Sequence, residues 1–157
     1  VSNELAATKN VQVSSTRVGT PNVASNAVDG KLNTRWESEW GAGTQWIMLD
    51  YGAPVFIGRV QILWEAGCAQ DYGLQVSIDA ANWTTIKAIT GNAMVASPPG
   101  GLTPPTDWSK AVDSTGLKGV GRYLRVNMTQ RCAGDTMYGY SLWEMRAYGD
   151  TDASCSP

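Results

Sequence analysis

Residues 45–65 read QWIMLDYGAPVFIGRVQILWE, and the pattern inside this run decides the fold. Gln45 to Tyr51 is apolar on both faces, as a central strand of a sandwich is. Val55 to Glu65 alternates, with Val60, Ile62 and Trp64 on one face, Arg59, Gln61 and Glu65 on the other, and Leu63 out of phase. Alternation of period two places successive side chains on opposite faces of an extended chain, so this is strand and not helix. Glu65 emerges where the strand ends.

Working outward, the same signal recurs. Tyr72 to Ile78 (YGLQVSI) and Trp83 to Ile89 (WTTIKAI) flank Asp79–Asn82, a spacing that suits a hairpin with a short turn. Arg122 to Thr129 (RYLRVNMT) sets Leu124, Val126 and Met128 against Tyr123, Arg125 and Asn127, and Ser141 to Tyr148 (SLWEMRAY) closes the domain. Ser97 to Asp107 (SPPGGLTPPTD) holds four prolines and two glycines, which cannot pair in a ladder and demand a long surface loop, with Trp108 placed to pin it. No window of a dozen residues sustains helical spacing. The prediction is an all-β antiparallel sandwich or jelly roll, one module over residues 1–149, with residues 150–157 (DTDASCSP) as a tail or the start of a linker.

Composition narrows the functions available. At 157 residues and 43% apolar, the chain can bury roughly two-thirds of its unfolded surface in one core. Charged residues are 17% and the net charge is -2, so no broad basic field exists for nucleic acid or anionic lipid. The chain has no histidine, which removes the commonest general base and zinc ligand and leaves only carboxylates for catalysis. Seven tryptophans against one phenylalanine supply flat apolar faces with a polar N–H edge. Apolar runs fall short of the ~20 residues needed to span a bilayer. Cys68, Cys132 and Cys155 form no CxxC pair. Cys68 and Cys132 each follow a strand-like run, which predicts a disulfide worth up to about 4 kcal/mol and an oxidising compartment, the alternative being two free thiols. Cys155 is left over.

The densest chemistry lies in Asn26–Trp40, NAVDGKLNTRWESEW. Asp29 and Thr34 offer hard oxygen ligands around a turn at Gly30, and Arg35 to Trp40 forms a small polar platform with a flat aromatic beside it.

In order along the chain, AVDG, TRW, QWIMLDYG, the WE that ends a strand, the NW that opens another, RYLRV and YGYSLWEMRAYG resemble the discoidin or coagulation factor V/VIII type C family. The likeness is closer to its bacterial branch, the family 32 carbohydrate-binding modules, and covers residues 3 to 149. The resemblance implies an eight-stranded, galactose-binding-domain-like jelly roll, monomeric and secreted. It further implies a non-catalytic module covalently linked to a polysaccharide-active enzyme, holding an oligosaccharide in loops at one end.

Carried over residue by residue, the family's structural ion site implies Ca²⁺ held by the carbonyls of Asn26, Lys31 and Trp143, both oxygens of Thr34, and the carboxylates of Asp29 and Glu144. Six or seven oxygens with two negative charges suit that ion. For the sugar, the resemblance brings together Arg35, Glu39, Trp40, Glu65, Tyr138 and Tyr140. Arg35 and Glu65 would take adjacent hydroxyls, Trp40 or Tyr138 the sugar face, and Glu39 a further hydroxyl. Glu37 stands where the family commonly has a small residue and is unassigned. Plainer readings stand beside these. Arg35 could form a surface pair with Glu37 or Glu39, and Trp36, Trp46, Trp64, Trp83 and Trp143 read as core.

Charge sorts the possible sugars. Family members that bind glucosamine oligomers carry an acid in the first loop, whereas Ser14–Asn22 has none and offers Arg17 instead. A uronate such as alginate would meet Arg17 and Arg35 but also Glu37, Glu39 and Glu65. A neutral β-glucan end is left, and the YGYSLWE ending resembles modules attached to β-1,3-glucan-active enzymes. Two other classes are weighed. Membrane adhesion would use Met94, Val95 and Leu102, but no basic cluster accompanies them. A glycosidase could use Glu39 and Glu65, but a small sandwich offers no substrate cleft.

Overall fold

The computed structural model of the chain describes residues 3–6, 10–41, 43–93, 103–132 and 137–154. Nine strands occur among them: β1 (Asn3–Glu4), β2 (Val11–Val13), β3 (Trp36–Glu37), β4 (Gln45–Trp64), β5 (Ala69–Ser77), β6 (Thr84–Ile89), β7 (Val112–Ser114), β8 (Gly119–Arg131) and β9 (Ser141–Asp150). One short 3₁₀ turn, Ala24–Val28, precedes β3. Every pairing is antiparallel, as the alternation predicts, and the order is β1-β9-β4-β8-β5-β6, with β2 and β7 also on β4 and β3 on β9. Met94, Val95, Leu102 and Cys155 lie outside the described residues, as does most of the proline-rich loop.

The 45–65 run is one strand of 20 residues, not two. Gly52, at φ +80°, and a register shift between Asp50 and Val55 bend it without ending it. Asp50 holds the bend by accepting from the Gly52 amide at 2.8 Å and from Arg122 at 2.8 and 3.0 Å. The first half of β4 pairs with β2 and β8, and the second half with β7 and β9, so β4 passes from one layer of the sandwich to the other.

Both inner faces are filled by the alternating residues: Ile47, Leu74, Leu124, Val126 and Met128 are at 0% exposure, and Val60 and Ile62 at 1%. Burial of this kind contributes roughly 25 cal/mol for each Å² of apolar surface removed from water. Leu63, out of phase in sequence, is nevertheless buried. It pairs in register with Glu144, and the loop after the 3₁₀ turn reaches that face through the Gly30 amide, which donates to Glu144 Oε2 at 2.8 Å. Trp36, Trp64 and Trp143 are core as expected, but Trp46 and Trp83 are only half-buried and sit on the outside of the β4–β8–β5–β6 layer. Trp108 is held under the guanidinium of Arg146, 3.6 Å from its ring centre, which anchors the end of the long loop.

The Asp79 carboxylate closes the β5–β6 turn by accepting from the amides of Ala81 and Asn82 and from the Asn82 side chain, at 2.9, 2.8 and 2.8 Å. Cys68 and Cys132 are joined, with Cα atoms 5.5 Å apart, and the Cys132 amide donates to the Cys68 carbonyl. This bridge ties the start of β5 to the end of β8, beside the site described next.

Candidate functional site

Three chain segments press together at one end of the sandwich. The Ser38 amide donates to the Tyr140 carbonyl and the Tyr140 amide to Ser38 Oγ, both at 2.8 Å, while the Gly41 amide donates to the Met137 carbonyl at 3.1 Å. Glu65 and Gly67 continue this seam: the Glu65 amide donates to the Ser141 carbonyl, and the Ser141 amide to Gly67. A Cβ at Gly139 would collide with the Ser38 carbonyl oxygen, and one at Gly67 would lie 2.6 Å from the Gly139 oxygen. Only glycine allows so close an approach.

Glu37 is the centre of the site, and the sequence reading missed it. Trp36 enters the core with no exposure, and the Arg17–Asn22 loop then lies over Glu37, taking its carbonyl through the Arg17 amide and its amide through the Asn22 carbonyl. The carboxylate is 5% exposed and accepts four N–H donors: Trp40 Nε1 at 2.7 Å, Arg35 at 3.0 Å, and Arg17 and Asn22 each at 3.1 Å. Burial raises the pKa of such a group, but the hydrogen bonds from Trp40, Arg17 and Arg35 outweigh it and hold Glu37 below its ordinary range. The surface pair considered for Arg35 therefore exists, but in the interior. The only sequence signal was an acid between an arginine and a tryptophan, and it did not reveal the partners 15 and 20 residues upstream.

Trp40 is fixed by this hub. Arg17 stacks on one face of the indole at 3.5 Å, Tyr138 meets it edge-on at 5.0 Å and 87°, and the ring remains 40% exposed beside Tyr138 at 52%. Arg131, absent from the sequence reading, donates to the Tyr138 carbonyl at 2.6 Å and supports that turn. Glu39 is exposed, with its amide on Ser15 Oγ at 3.0 Å. Glu65 is 7% exposed and one of its oxygens accepts the Gly67 amide at 3.0 Å.

Tyr140 requires a correction. It is 1% exposed and belongs to the core, because the chain at Gly139 is pressed onto Ser38 and turns the following side chain inward under Arg131. Of the predicted sugar contacts, Arg35, Trp40 and Tyr138 are brought together, Glu39 and Glu65 flank them, and Tyr140 lies beneath.

On the other side of Trp36, Asp29 and Glu144 form a second cluster. Asp29 accepts from the Lys31 amide at 2.9 Å and from Thr34 Oγ1 at 2.5 Å, and Gly30 turns at φ +77°. Asn26 reaches across to the Pro21 and Arg35 carbonyls at 2.8 and 3.0 Å, so this loop and the Arg35 loop move as one. Glu144 is buried, its Oε1 has no partner, and burial, reinforced by the nearby Asp29 carboxylate, pushes it up to about 8. Among the described residues no three His, Cys, Asp or Glu cluster for a metal. Two converging carboxylates, one with an unpartnered buried oxygen, beside a threonine and turn carbonyls are donor chemistry that fits a hard cation.

Comparison with known proteins places this geometry. The F5/8 type C domain profile matches residues 10–145. The chain is an F5/8 type C domain. A selenomethionine-labelled point mutant of chitosan-binding module 1, from a chitosanase/glucanase of Paenibacillus sp. IK-5, is 34% identical to this domain, with a TM-score of 0.76 over 95% of this chain and all of that one. Chitosan-binding module 2 of the same enzyme, in complex with chitotriose, is 34% identical with a TM-score of 0.75, over 92% and 99% of the two chains. A family 32 module of Clostridium perfringens, in complex with GalNAc-β-1,3-galactose, shares the fold at 20% identity and a TM-score of 0.70, over 92% and 99%. No curated protein matches the F5/8 type C domain in sequence. Its structural relatives are thus carbohydrate-binding modules, and no helix among its described residues is long and apolar enough to cross a membrane.

Proposed function

We propose that this domain is a non-catalytic carbohydrate-binding module that holds an oligosaccharide chain end against Trp40 and Tyr138. The observation that carries this reading is the exposed Trp40 ring, braced by Arg17, Glu37 and Tyr138. A pyranose offers a C–H face and a rim of hydroxyls, so it needs an aromatic surface and a few polar groups. An indole already immobilised loses little freedom when a sugar packs on it. Arg35 and the carboxylates of Glu39 and Glu65 are the hydroxyl and amine partners.

The proposed ligand is a glucosamine chain such as chitosan. Arg17 spends its charge on Glu37 at 3.1 Å, so its presence in the first loop no longer opposes an ammonium, and Glu39 keeps an exposed carboxylate to pair with one. The chitosan-binding modules at 34% identity support this choice. A neutral β-glucan end, such as β-1,3-glucan, is the second reading, favoured by the absence of any acid in Ser14–Asn22.

The Asp29, Glu144 and Thr34 oxygens, with the carbonyls of Asn26, Lys31 and Trp143, would hold Ca²⁺ as a structural brace. When bound, that ion supplies the positive charge that two adjacent carboxylates call for. The Cys68–Cys132 bridge supports a secreted protein, and targeting of a linked polysaccharide-active enzyme is the role that follows.

Calorimetric titration with chitosan oligosaccharide, laminarin and alginate tests the reading. Chitosan binding that weakens at least tenfold in Trp40→Ala is expected. Binding of laminarin alone selects the second reading, and binding of none of the three removes the function.

A further inference from the structure

The two outer faces of the sandwich differ in how their polar groups are satisfied. On the β7–β4–β9 face, Arg59 makes two bonds to Asp113 at 2.8 and 2.6 Å, Gln61 reaches the same carboxylate at 3.4 Å, and Arg146 donates to Gln61 at 2.8 Å while covering Trp108. Charges there are matched and closed.

The β4–β8–β5–β6 face is open. Register places Trp46, Asn127, Gly73 and Ala88 in one outward row and Met48, Arg125, Gln75 and Thr85 in the next. Arg125 lies flat across the second row, 4.1 Å above the Trp83 ring, with Nε and one terminal nitrogen on Gln75 Oε1 at 2.9 and 2.6 Å. Its acceptor is thus a neutral amide. Burial works against its charge, and no carboxylate among the described residues offsets it. Asp50, the acid on this face, is occupied by Arg122. The Asn127 amide and the indole N–H groups of Trp46 and Trp83 have no hydrogen-bond partner among the described residues, and all three side chains are half-buried.

We propose that this face is a second glycan site, separate from the Trp40 end, which takes an internal stretch of an acidic polysaccharide. A sugar carboxylate lies on Arg125, a sugar face packs on Trp46, and hydroxyls meet Asn127 and the indole N–H groups. Trp46 and Arg125 are diagonal neighbours across the β4–β8 pair, about 7–8 Å apart, which leaves room for one sugar ring and its acidic substituent. The row crosses four strands, about 14 Å, long enough for a chain rather than a single sugar. A guanidinium presented over an aromatic ring suits a planar carboxylate better than a hydroxyl. The site is independent of the ligand assigned to the Trp40 end.

The test is an NMR titration of alginate oligosaccharide into the whole domain and into Trp40→Ala, following the indole N–H signals of Trp46 and Trp83. Both signals shift in both proteins if the site exists, laminarin binds there at least tenfold more weakly, and Arg125→Gln weakens alginate at least tenfold. Asn127→Ala, a smaller change, lowers affinity severalfold with the melting temperature unchanged, which separates binding from folding. Loss of the shifts in Trp40→Ala, equal binding of laminarin, or no shift at all, as when the face packs on another protein domain, would each overturn the proposal.

Discussion

Glu37 and Glu144 are both buried carboxylates, one at the sugar end and one in the Asp29 loop, and they are treated in opposite ways. Glu37 accepts four N–H donors, three of them from Trp40, Arg17 and Arg35, and stays ionised below its ordinary range. Glu144 has the Gly30 amide on one oxygen, nothing on the other, and Asp29 beside it, so it is pushed up to about 8. A buried charge must be paired and hydrogen-bonded or neutralised. The chain meets that requirement at Glu37 from its own side chains, and at Glu144 it leaves the requirement to a cation.

The most damaging way to break this contrast is Glu37→Ala. It leaves Arg17 and Arg35 facing each other over an apolar gap, and breaking a buried pair costs roughly 3–5 kcal/mol. About 3 kcal/mol is expected, because the Arg17 side chain remains 34% exposed. Urea denaturation measures it, and an unchanged midpoint would show that the four bonds do not support the fold.

Next in size is the brace. Calcium at a hundredfold excess over its dissociation constant stabilises a folded site by about 2.7 kcal/mol. For a domain of this length that is roughly 5–10 °C in melting temperature. The shift between calcium and excess EDTA should vanish in Glu144→Gln. Identical melting curves in calcium and EDTA for the unaltered domain would mean that Asp29 and Glu144 hold no ion.

Trp40→Ala sharpens the comparison by separating ligand binding from support. A tenfold or greater loss of affinity, about 1.4 kcal/mol, is expected by calorimetry. Its stability should fall by less than that of Glu37→Ala, since the Arg17, Arg35 and Asn22 bonds to Glu37 survive. A larger stability loss than in Glu37→Ala would place the indole in the core.

The smallest effect is on acid stability. Glu37 has its folded pKa below the ordinary 4.5, so its contribution is complete above about pH 4.5 and is lost as pH falls through the folded value. Stability measured from pH 6 to pH 3 should therefore decline less steeply in Glu37→Gln than in the unaltered domain. Parallel slopes would show that Glu37 is not shifted in this direction.

Legibility in the sequence follows the range of the interactions. The alternation of Leu124, Val126 and Met128 reports local geometry, and the structure keeps it residue for residue. Trp36 as core, the Asp79–Asn82 turn and the Cys68–Cys132 bridge were likewise readable. Leu63 was not, because what covers it is a loop held by a bond spanning 114 residues, from Gly30 to Glu144. Trp46 has the composition of a core residue, yet its place in the register turns it outward. Tyr138 and Tyr140 share a turn and differ in fate only because Gly139 packs on Ser38.

By itself, then, the sequence determined that the chain is an antiparallel β-sandwich of the F5/8 type C kind and that chemistry concentrates in Asn26–Trp40, since period-two patterning and short motifs are local properties. Only the tertiary structure decided how that stretch divides. Asp29 turns toward Glu144, Glu37 gathers Arg17, Asn22, Arg35 and Trp40, and Tyr140 yields its place to Tyr138. Those choices depend on which buried charges find donors, and the donors arrive from segments that folding alone brings together.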